Sequence, residues 1–237
     1  MKVIISDLDG TLLCKDETDL NKNTKNMINS VLNSGNAFCV ASGRNYTELK
    51  HLFREFEDHI YFICNDGALG IYKENTFYNC PLDKNLFYNF TKYTAHGKYV
   101  TYVRSDSSLF IRNTAKKYKG HVMQIESISD ITEDIYKISD FDKSLSCPLP
   151  IVYKDNNMKE YVSAACDKAN AVEYLINFLK LKKSDVYVFG DNINDVNMLQ
   201  RCCNSYAVAN AIPKVKKCAK KVANNIYEEI INIIKSQ

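Results

Sequence analysis

The sequence is poor in the residues and patterns that mark several classes of protein. It has no tryptophan, only four prolines and eight glycines in 237 residues, and no internal repeat or low-complexity segment. That composition argues against fibrous and low-complexity disordered chains. No apolar run is long enough to cross a bilayer, and the first residues contain no apolar segment that ends in a small-residue cleavage site. We therefore expect a globular protein without a membrane anchor or a signal peptide.

The cysteine content and the charge of the chain limit the expected cellular compartment and the expected classes of binding partner. The nine cysteines form no Cys-x-x-Cys pair and are odd in number, so reduced thiols in a cytoplasmic protein are expected. The net charge of +3 is made of mixed signs, which predicts no nucleic-acid partner. A basic run from Lys214 to Lys221 is interpreted as a solvated helix face. We expect a monomer or a homodimer of one large or two smaller domains.

Strand and helix patterns alternate in the first and last parts of the chain. Short apolar strands are predicted at Val3–Ile5, Phe38–Ala41, Tyr61–Cys64, Val186–Phe189 and Tyr206–Ala209. Apolar residues at helical spacing are Met27, Ile28, Val31 and Leu32; Leu49, Leu52, Phe53 and Phe56; Val172, Leu175, Ile176 and Leu179; Val215, Cys218, Ala219 and Val222; Tyr227, Ile230, Ile231 and Ile234. This alternation predicts an α/β fold with a doubly wound parallel sheet covered by helices.

The middle of the chain has a different pattern. Polar and apolar residues alternate there, which is typical of antiparallel strands with one face exposed. The strands predicted are residues 99–103, 109–111 and 135–138. We therefore predict that residues 81–161 form an inserted α+β domain, and that residues 1–80 and 162–237 together form a discontinuous core domain.

Polar residues follow four of the predicted core strands. They are Asp7 and Asp9 after the first strand, Ser42-Gly43-Arg44 after the second, Asn65-Asp66-Gly67-Ala68 after the third, and Gly190-Asp191 with Asn194 and Asp195 after the fourth. The carboxyl ends of the strands in an open parallel sheet form the crevice where ligands bind. These residues are therefore predicted to converge on one site.

The acidic residues of this site predict phosphoryl transfer assisted by a metal. Asp7 and Asp9 lie two residues apart, so they point to the same side of an extended backbone. Together with Asp191 and Asp195 they repel each other unless a cation relieves them. Oxygen ligands without sulfur or imidazole favour Mg²⁺, which proteins commonly share with a phosphate. A carboxylate is also a competent covalent nucleophile toward phosphorus.

The order of these motifs resembles that of a known superfamily. The segments Asp7-x-Asp9-Gly10-Thr11, Ser42-Gly43-Arg44, Lys168 and Gly190-Asp191-x-x-Asn194-Asp195 are similar to the four motifs of the haloacid dehalogenase superfamily. The Asn-Asp-Gly-Ala run and the Asn194-Asp195-x-x-Met198-Leu199 pattern resemble its Cof-type branch of sugar-phosphate and related phosphatases. The resemblance implies a core of that fold, with an α+β cap inserted between the second and third motifs.

The resemblance also implies catalytic and metal-binding roles. Asp7 would be the nucleophile that forms a phosphoaspartate. Asp9 would be the general acid toward the leaving oxygen and then the base for water, and its backbone carbonyl would bind the metal. Asp191 would be the second carboxylate ligand of Mg²⁺, with Asp195 next to it.

Further roles concern the substrate. Ser42, the amide of Gly43 and Asn194 would hold phosphate oxygens, and Lys168 would neutralise charge on both nucleophile and phosphate. Arg44 is open to two interpretations, as a substrate ligand or as a structural ion-pair partner. In the inserted domain, Arg104, Arg112 and Lys117 are candidates to contact the leaving group on charge alone.

The sequence departs from the branch at Asp66, where asparagine is usual, and at residues 225–229, where an Asp-Gly-Val is missing. The acid–base residues are intact. We therefore predict a magnesium-dependent hydrolase whose substrate is a small phosphorylated metabolite. Two alternatives stay open: a phosphotransferase or sugar-phosphate mutase, which passes the phosphoryl group to a sugar, and a catalytically silent metabolite-binding protein of the same fold.

Overall fold

The structure is a computed structural model that describes residues 1–14, 17–85, 100–103, 108–111, 122–125, 131–141, 149–154 and 158–236. Its strands are β1 Val3–Ser6, β2 Ala37–Ala41, β3 Tyr61–Cys64, β4 Leu69–Tyr72, β5 Asn75–Asn79, β6 Val100–Val103, β7 Ser108–Ile111, β8 Val122–Ile125, β9 Lys137–Asp140, β10 Ile151–Lys154, β11 Lys159–Val162, β12 Val186–Gly190, β13 Asn204–Val208 and β14 Lys221–Ala223. Its α-helices are α1 Lys22–Asn33, α2 Tyr46–Leu52, α3 Lys168–Phe178, α4 Val196–Arg201, α5 Pro213–Cys218 and α6 Ile226–Lys235.

The first sheet has eight strands in the order β14-β13-β12-β1-β2-β3-β4-β5. Every neighbouring pair from β14 to β3 is parallel. Strands β1 and β2 are buried along their whole length, because helices cover both faces of the sheet. Helix α1 packs against α6, and α3 packs against α4. The predicted α/β fold with a doubly wound parallel sheet is confirmed.

Local sequence signals account for the helix ends. The Asn21 side chain caps α1 by accepting a hydrogen bond from the amide of Thr24 at 2.9 Å. Gly35 follows that helix with a φ of +69°, a conformation that glycine adopts without strain. Met27, Ile28 and Val31 form the buried stripe of α1, as their spacing predicts.

Two parts of the core differ from the sequence prediction. Helix α5 ends at Cys218, so Val222 lies in the edge strand β14 and is exposed. The reason is that the amide of Lys220 bonds to the carbonyl of Ser205, which draws the chain into the sheet. Helix α2 stops at Leu52, and Phe53 and Phe56 are buried from the turns that follow it.

The second sheet, defined by strands β6 to β11, has the order β10-β11-β9-β6-β7-β8. Its pairs are antiparallel except β7–β8, which is parallel. The strands predicted at 99–103 and 109–111 are confirmed to within a residue, whereas 135–138 is displaced to β9. Ile135 accepts a hydrogen bond from Leu82 instead of joining the sheet.

The antiparallel hairpin β4–β5 was not predicted, and it extends the first sheet beyond β3. The boundaries of the inserted domain, at residues 81 and 161, stay a prediction. Arg104, Arg112 and Lys117 lie outside the described residues.

Phe38 of β2 offers a test of the core, since its side chain is fully buried between the sheet and its helices. We expect Phe38→Ala to lower the free energy of unfolding by about 3–5 kcal/mol, because it removes a large apolar side chain and leaves a cavity. Denaturant unfolding measures this change. The control Val222→Ala, on the exposed edge strand, should change that free energy by about 0.5 kcal/mol or less. Equal losses in the two variants would contradict the assigned core.

Candidate active site

The carboxyl ends of β1, β2, β3 and β12 meet around a cavity of about 300 Å³. The first sheet contributes Asp7, Asp9, Gly43, Arg44 and Asp66 to its wall, and the second sheet contributes Lys137, Tyr153 and Glu160. The residues predicted from distant parts of the sequence are therefore neighbours in the structure.

Three carboxylates form a compact acidic cluster at this edge. Asp7, Asp191 and Asp195 each offer an oxygen, and these oxygens all lie within 4.8 Å of one another. Burial, followed by the charge of Asp195, raises the pKa of Asp7 well above its usual range, and the same two causes raise the pKa of Asp191. The Thr11 hydroxyl donates to Asp191 at 3.1 Å. Crowded acidic oxygens of this kind can hold a divalent cation.

Gly10 allows the turn after Asp9 to lie directly against the carboxylate of Asp191. Its φ is +91°, and a Cβ built on it would collide with Oδ2 of Asp191. The turn after Asp9 therefore leaves space for the carboxylate that arrives from β12.

Lys168 supplies the positive charge inside the cluster. It is the first residue of α3 and is buried, and its Nζ lies 2.6 Å from Asp7 and 2.8 Å from Asp195. Burial by itself would lower the pKa of Lys168, but the charges of Asp195 and Asp7 raise it well above its ordinary value. The side chain therefore remains an ammonium in contact with the predicted nucleophile.

Asp195 is held from several directions at once. One of its oxygens accepts the hydrogen bond from Lys168, and the other accepts the backbone amides of Asp191 and Asn192 at 3.0 and 3.1 Å. Its carboxylate is fully buried. In this arrangement Asp195 orients both Lys168 and the turn that carries Asp191.

Arg44 and Asp9 form a bidentate ion pair. Nε of Arg44 lies 3.0 Å from one oxygen of Asp9, and a terminal nitrogen lies 2.5 Å from the other. The hydrogen bond to Asp9 is the main cause that raises the pKa of Arg44. Of the two interpretations of Arg44, the structure shows the ion pair. The Asp9 side chain is about half exposed, at 53%, and faces the cavity.

In the loop after β2, Gly43 lines the cavity, whereas Ser42 is buried and is not among the residues that line it. The amide of Ser42 bonds to the carbonyl of Ile63, and the Ser42 hydroxyl accepts from the amide of Arg44 at 3.2 Å. Asn45 caps the following helix, with its side chain accepting from the amide of Glu48.

The loop after β3 has an unusual backbone. Asn65 and Asp66 have φ values of +51° and +58°, in the left-handed region that asparagine and aspartate enter more readily than most residues with a side chain. Asp66 accepts a hydrogen bond from Nδ2 of Asn194 at 2.9 Å. Gly67 has a φ of +95°, and a Cβ on it would lie 2.5 Å from the backbone nitrogen of Lys168. This loop is thus packed directly against the start of α3.

Several residues of the cavity were missed by the sequence prediction. They are Lys137, Glu160, Tyr153, Asn45 and Glu48. Lys137 carried a signal that could have found it, namely one charge within the apolar run Ile135-Tyr136-Lys137-Ile138. Burial raises the pKa of Glu48. The side-chain amide of Asn65 is buried without a hydrogen-bond partner.

Comparison with known proteins agrees with this geometry. A family model described as haloacid dehalogenase-like hydrolase matches residues 4–162 and 136–231. The chain belongs to this family. The 5-amino-6-(5-phospho-D-ribitylamino)uracil phosphatase of Escherichia coli is 23% identical over 99% of this chain and 95% of its own length. An HMP-PP phosphatase of Yersinia pseudotuberculosis is 23% identical over 89% of this chain and 85% of its own.

A solved structure shares the whole haloacid dehalogenase-like fold. The sugar phosphatase BT4131 of subclass IIB superimposes with a TM-score of 0.79, covering 100% of this chain and 98% of its own, at 18% identity. The predicted family, its Cof-type branch and a phosphatase activity are confirmed. None of the helices among the described residues has the length and apolar character to span a membrane.

Gly10 gives a direct test of the acidic cluster. We expect Gly10→Ala to reduce phosphatase activity by about a hundredfold, because the new methyl group displaces Asp191. Gly35→Ala is a matched control, since Gly35 also has a positive φ but no atom within 4 Å of the added carbon. Gly35→Ala should lose about 1 kcal/mol of unfolding free energy because of its positive φ, Gly10→Ala should lose more because of the added collision, and only Gly10→Ala should lose activity. Equal activity in the two would show that the turn does not shape the site.

The pH dependence of the unfolding free energy tests the environment assigned to Asp66. Burial raises the pKa of Asp66, but the charges of Lys137 and Lys168 and the Asn194 hydrogen bond bring it below its ordinary value. A lowered pKa in the folded state contributes stability that is present above the ordinary value of about 3.9 and is lost as the pH falls through the folded-state pKa. We expect Asp66→Asn to cost about 3 kcal/mol of unfolding free energy at neutral pH, and this difference to shrink below about pH 4. Denaturant unfolding from pH 7 to pH 3 measures it, and a difference that grows toward acid pH would contradict the assignment.

Proposed function

We propose that this phosphatase is a magnesium-dependent hydrolase of small phosphate monoesters that acts through a phosphoaspartate on Asp7. The observation that carries the proposal is the placement of Asp7 within 2.6 Å of the buried ammonium of Lys168, beside the carboxylate of Asp191. A carboxylate so placed is oriented and charge-balanced for attack on phosphorus.

Asp7 and Asp9 would carry out the two steps of the reaction. An oxygen of Asp7 forms a bond to phosphorus as the bond from phosphorus to the ester oxygen breaks, and Asp9 gives its proton to the departing oxygen. Water then attacks the phosphoaspartate, Asp9 takes the proton of that water, and phosphate leaves as Asp7 is regenerated. Asp9 suits this role because its side chain faces the cavity and is half exposed. The ion pair with Arg44 favours the ionised form of Asp9, so Asp9 would leave Arg44 and take up a proton when the substrate binds, before it donates that proton to the departing oxygen.

Phosphate binding falls to the loops after β2, β3 and β12. Ser42, the Gly43 amide and Lys168 would hold phosphate oxygens. Asn194 uses one amide hydrogen for Asp66 and has a second for the phosphate. Lys168 would neutralise charge on nucleophile and phosphate together.

The donor set fits Mg²⁺. The carboxylates of Asp7 and Asp191 and the backbone carbonyl of Asp9 would hold the ion, with Asp195 next to them. All are oxygen ligands, which Mg²⁺ prefers, and the three carboxylates lie close enough together for their mutual repulsion to favour a bound cation. When bound, the ion would offset negative charge on the phosphate.

The rest of the cavity suits an uncharged leaving group with several hydroxyls. Asn45, Glu48, Tyr153 and Glu160 line it and offer hydrogen-bonding groups. Of the described cations in the wall, Arg44 is paired with Asp9, and Lys137 with Asp66 and Glu160. A sugar phosphate or a similar polyol phosphate fits this lining, and two of the similar proteins are named for a ribityl phosphate and for sugar phosphates.

The deciding experiment is phosphate release from a panel of monoesters in buffer containing Mg²⁺, with wild type beside Asp7→Asn and Asp9→Asn. Each substitution removes a charge or proton at the reacting atoms, so we expect a loss of roughly a thousandfold or more in kcat/KM. Asp58→Asn, an exposed aspartate outside the cavity, serves as the control and should match wild type.

The outcomes separate the proposal from its alternatives. Sugar phosphates should be hydrolysed faster than monoesters that carry a carboxylate or a second phosphate, and a chelator should abolish release. Phosphate transfer that requires an added sugar acceptor would point to a phosphotransferase instead. Full activity in Asp7→Asn would refute the phosphoaspartate mechanism.

A further inference from the structure

Lys137 extends from the second sheet to the loops of the first sheet. It begins β9, a strand paired with β6 on one side and β11 on the other, so its backbone is fixed within the second sheet. Its side chain is only 6% exposed. The ammonium nevertheless ends among atoms of the first sheet's loops, beyond the edge of its own sheet.

Each of the three N–H groups of the Lys137 ammonium already has an acceptor. Nζ of Lys137 lies 2.7 Å from the carbonyl of Gly43, 3.3 Å from Oδ2 of Asp66 and 3.1 Å from Oε2 of Glu160. A lysine ammonium has three donors and no acceptor, so these partners saturate it. Lys137 therefore has no proton left for a substrate, which argues against a direct binding role.

The partners of Lys137 belong to the proposed phosphate pocket. Gly43 lies in the loop after β2, and Asp66 in the loop after β3. The two loops touch, since a Cβ on Gly43 would lie 3.0 Å from an oxygen of Asp66. That same oxygen of Asp66 accepts the amide of Asn194 from the turn after β12. The Lys137 ammonium of the second sheet therefore lies where the loops after β2, β3 and β12, which are proposed to bind phosphate, meet.

We propose that Lys137 is a positioning residue that makes the shape of the phosphate pocket depend on the seating of the second sheet over the core. The proposal rests on the phosphatase function proposed above and adds a residue to it. With Lys137 in place, the Gly43 loop is held by its carbonyl, and Asp66 is oriented to hold Asn194. When the second sheet moves away, these contacts break together and the pocket loses its fit to phosphate.

A gain in folding stability is a weak explanation for a buried ion pair such as Lys137–Asp66. Two buried charges can commonly be replaced by neutral groups with little loss, whereas removing only one of them leaves the other unpaired at a cost. This contrast supplies a test, because the paired variant Asp66→Asn with Lys137→Met removes both charges together. Glu160 keeps the hydrogen bond from the Ser139 hydroxyl at 3.0 Å in that variant.

The experiment compares wild type, Lys137→Met, the paired variant and Ser139→Ala. Ser139 lies on the same strand and donates a hydrogen bond to the same partner, Glu160, and among the described residues its hydroxyl makes no hydrogen bond to the core loops. Three quantities are measured: the unfolding midpoint, the affinity for inorganic phosphate by calorimetry in the presence of Mg²⁺, and kcat/KM on the best monoester of the panel.

We expect the paired variant to unfold at a midpoint closer to wild type than that of Lys137→Met, since only Glu160 is left without its ion pair. It should nevertheless bind inorganic phosphate about tenfold more weakly, with a loss of about a hundredfold in kcat/KM. Lys137→Met alone should show the same loss in phosphate affinity together with a lowered midpoint. Ser139→Ala should resemble wild type in all three quantities.

A paired variant that binds phosphate and turns over like wild type would overturn the proposal, and so would a Ser139→Ala variant as impaired as Lys137→Met. Failure of the proposed function is distinguishable, since it would appear as a wild type without monoester hydrolysis. The calorimetric affinity would still decide the role of Lys137 in that case.

Discussion

The structure depends on the balance between crowded acidic oxygens and one buried ammonium. Three carboxylates meet at the edge of the first sheet, and their mutual repulsion would open that edge if no cation stood among them. Lys168 supplies the charge that the chain itself can offer, and its pKa is raised because it bonds to Asp7 and Asp195 together. The remaining negative charge is what makes the site suited to a divalent ion and a phosphate.

A second balance of the same kind lies on the side of the second sheet. Lys137 stands between Asp66 and Glu160 much as Lys168 stands between Asp7 and Asp195. The first ammonium holds the reacting groups in place, and the second joins the loops that would hold the substrate's phosphate to the sheet that lies over them. Two separate buried lysines, each in contact with two carboxylates, would therefore serve the two purposes: Lys168 the reaction, and Lys137 the joining of the second sheet to the core.

The sequence was sufficient for the parts of this protein that local chemistry dictates. Strongly apolar strands such as β1 and β2 are expected to be buried on both faces, so the α/β core and the convergence of Asp7 with Asp191 and Asp195 could be inferred from the sequence. The hairpin β4–β5 is local, but its two-residue turn, Lys73-Glu74, has none of the glycine-containing pairs that mark such hairpins. The edge strand β14 has only three residues, two of them exposed, and its pattern gave no strand signal. Lys137 was missed for a different reason: its role depends on Gly43 and Asp66, which are far away in sequence.

The contact between Gly67 and the start of α3 has a consequence for how such an enzyme can diversify. Because a side chain at that glycine would strike the backbone of Lys168, the loop after β3 and the start of the helix are packed in direct contact. Enlarging this loop to suit a bulkier metabolite would shift the ammonium beside the proposed nucleophile. New specificities can therefore arise more freely in the overlying sheet, at positions other than Lys137, where changes leave the contact between Gly67 and Lys168 untouched.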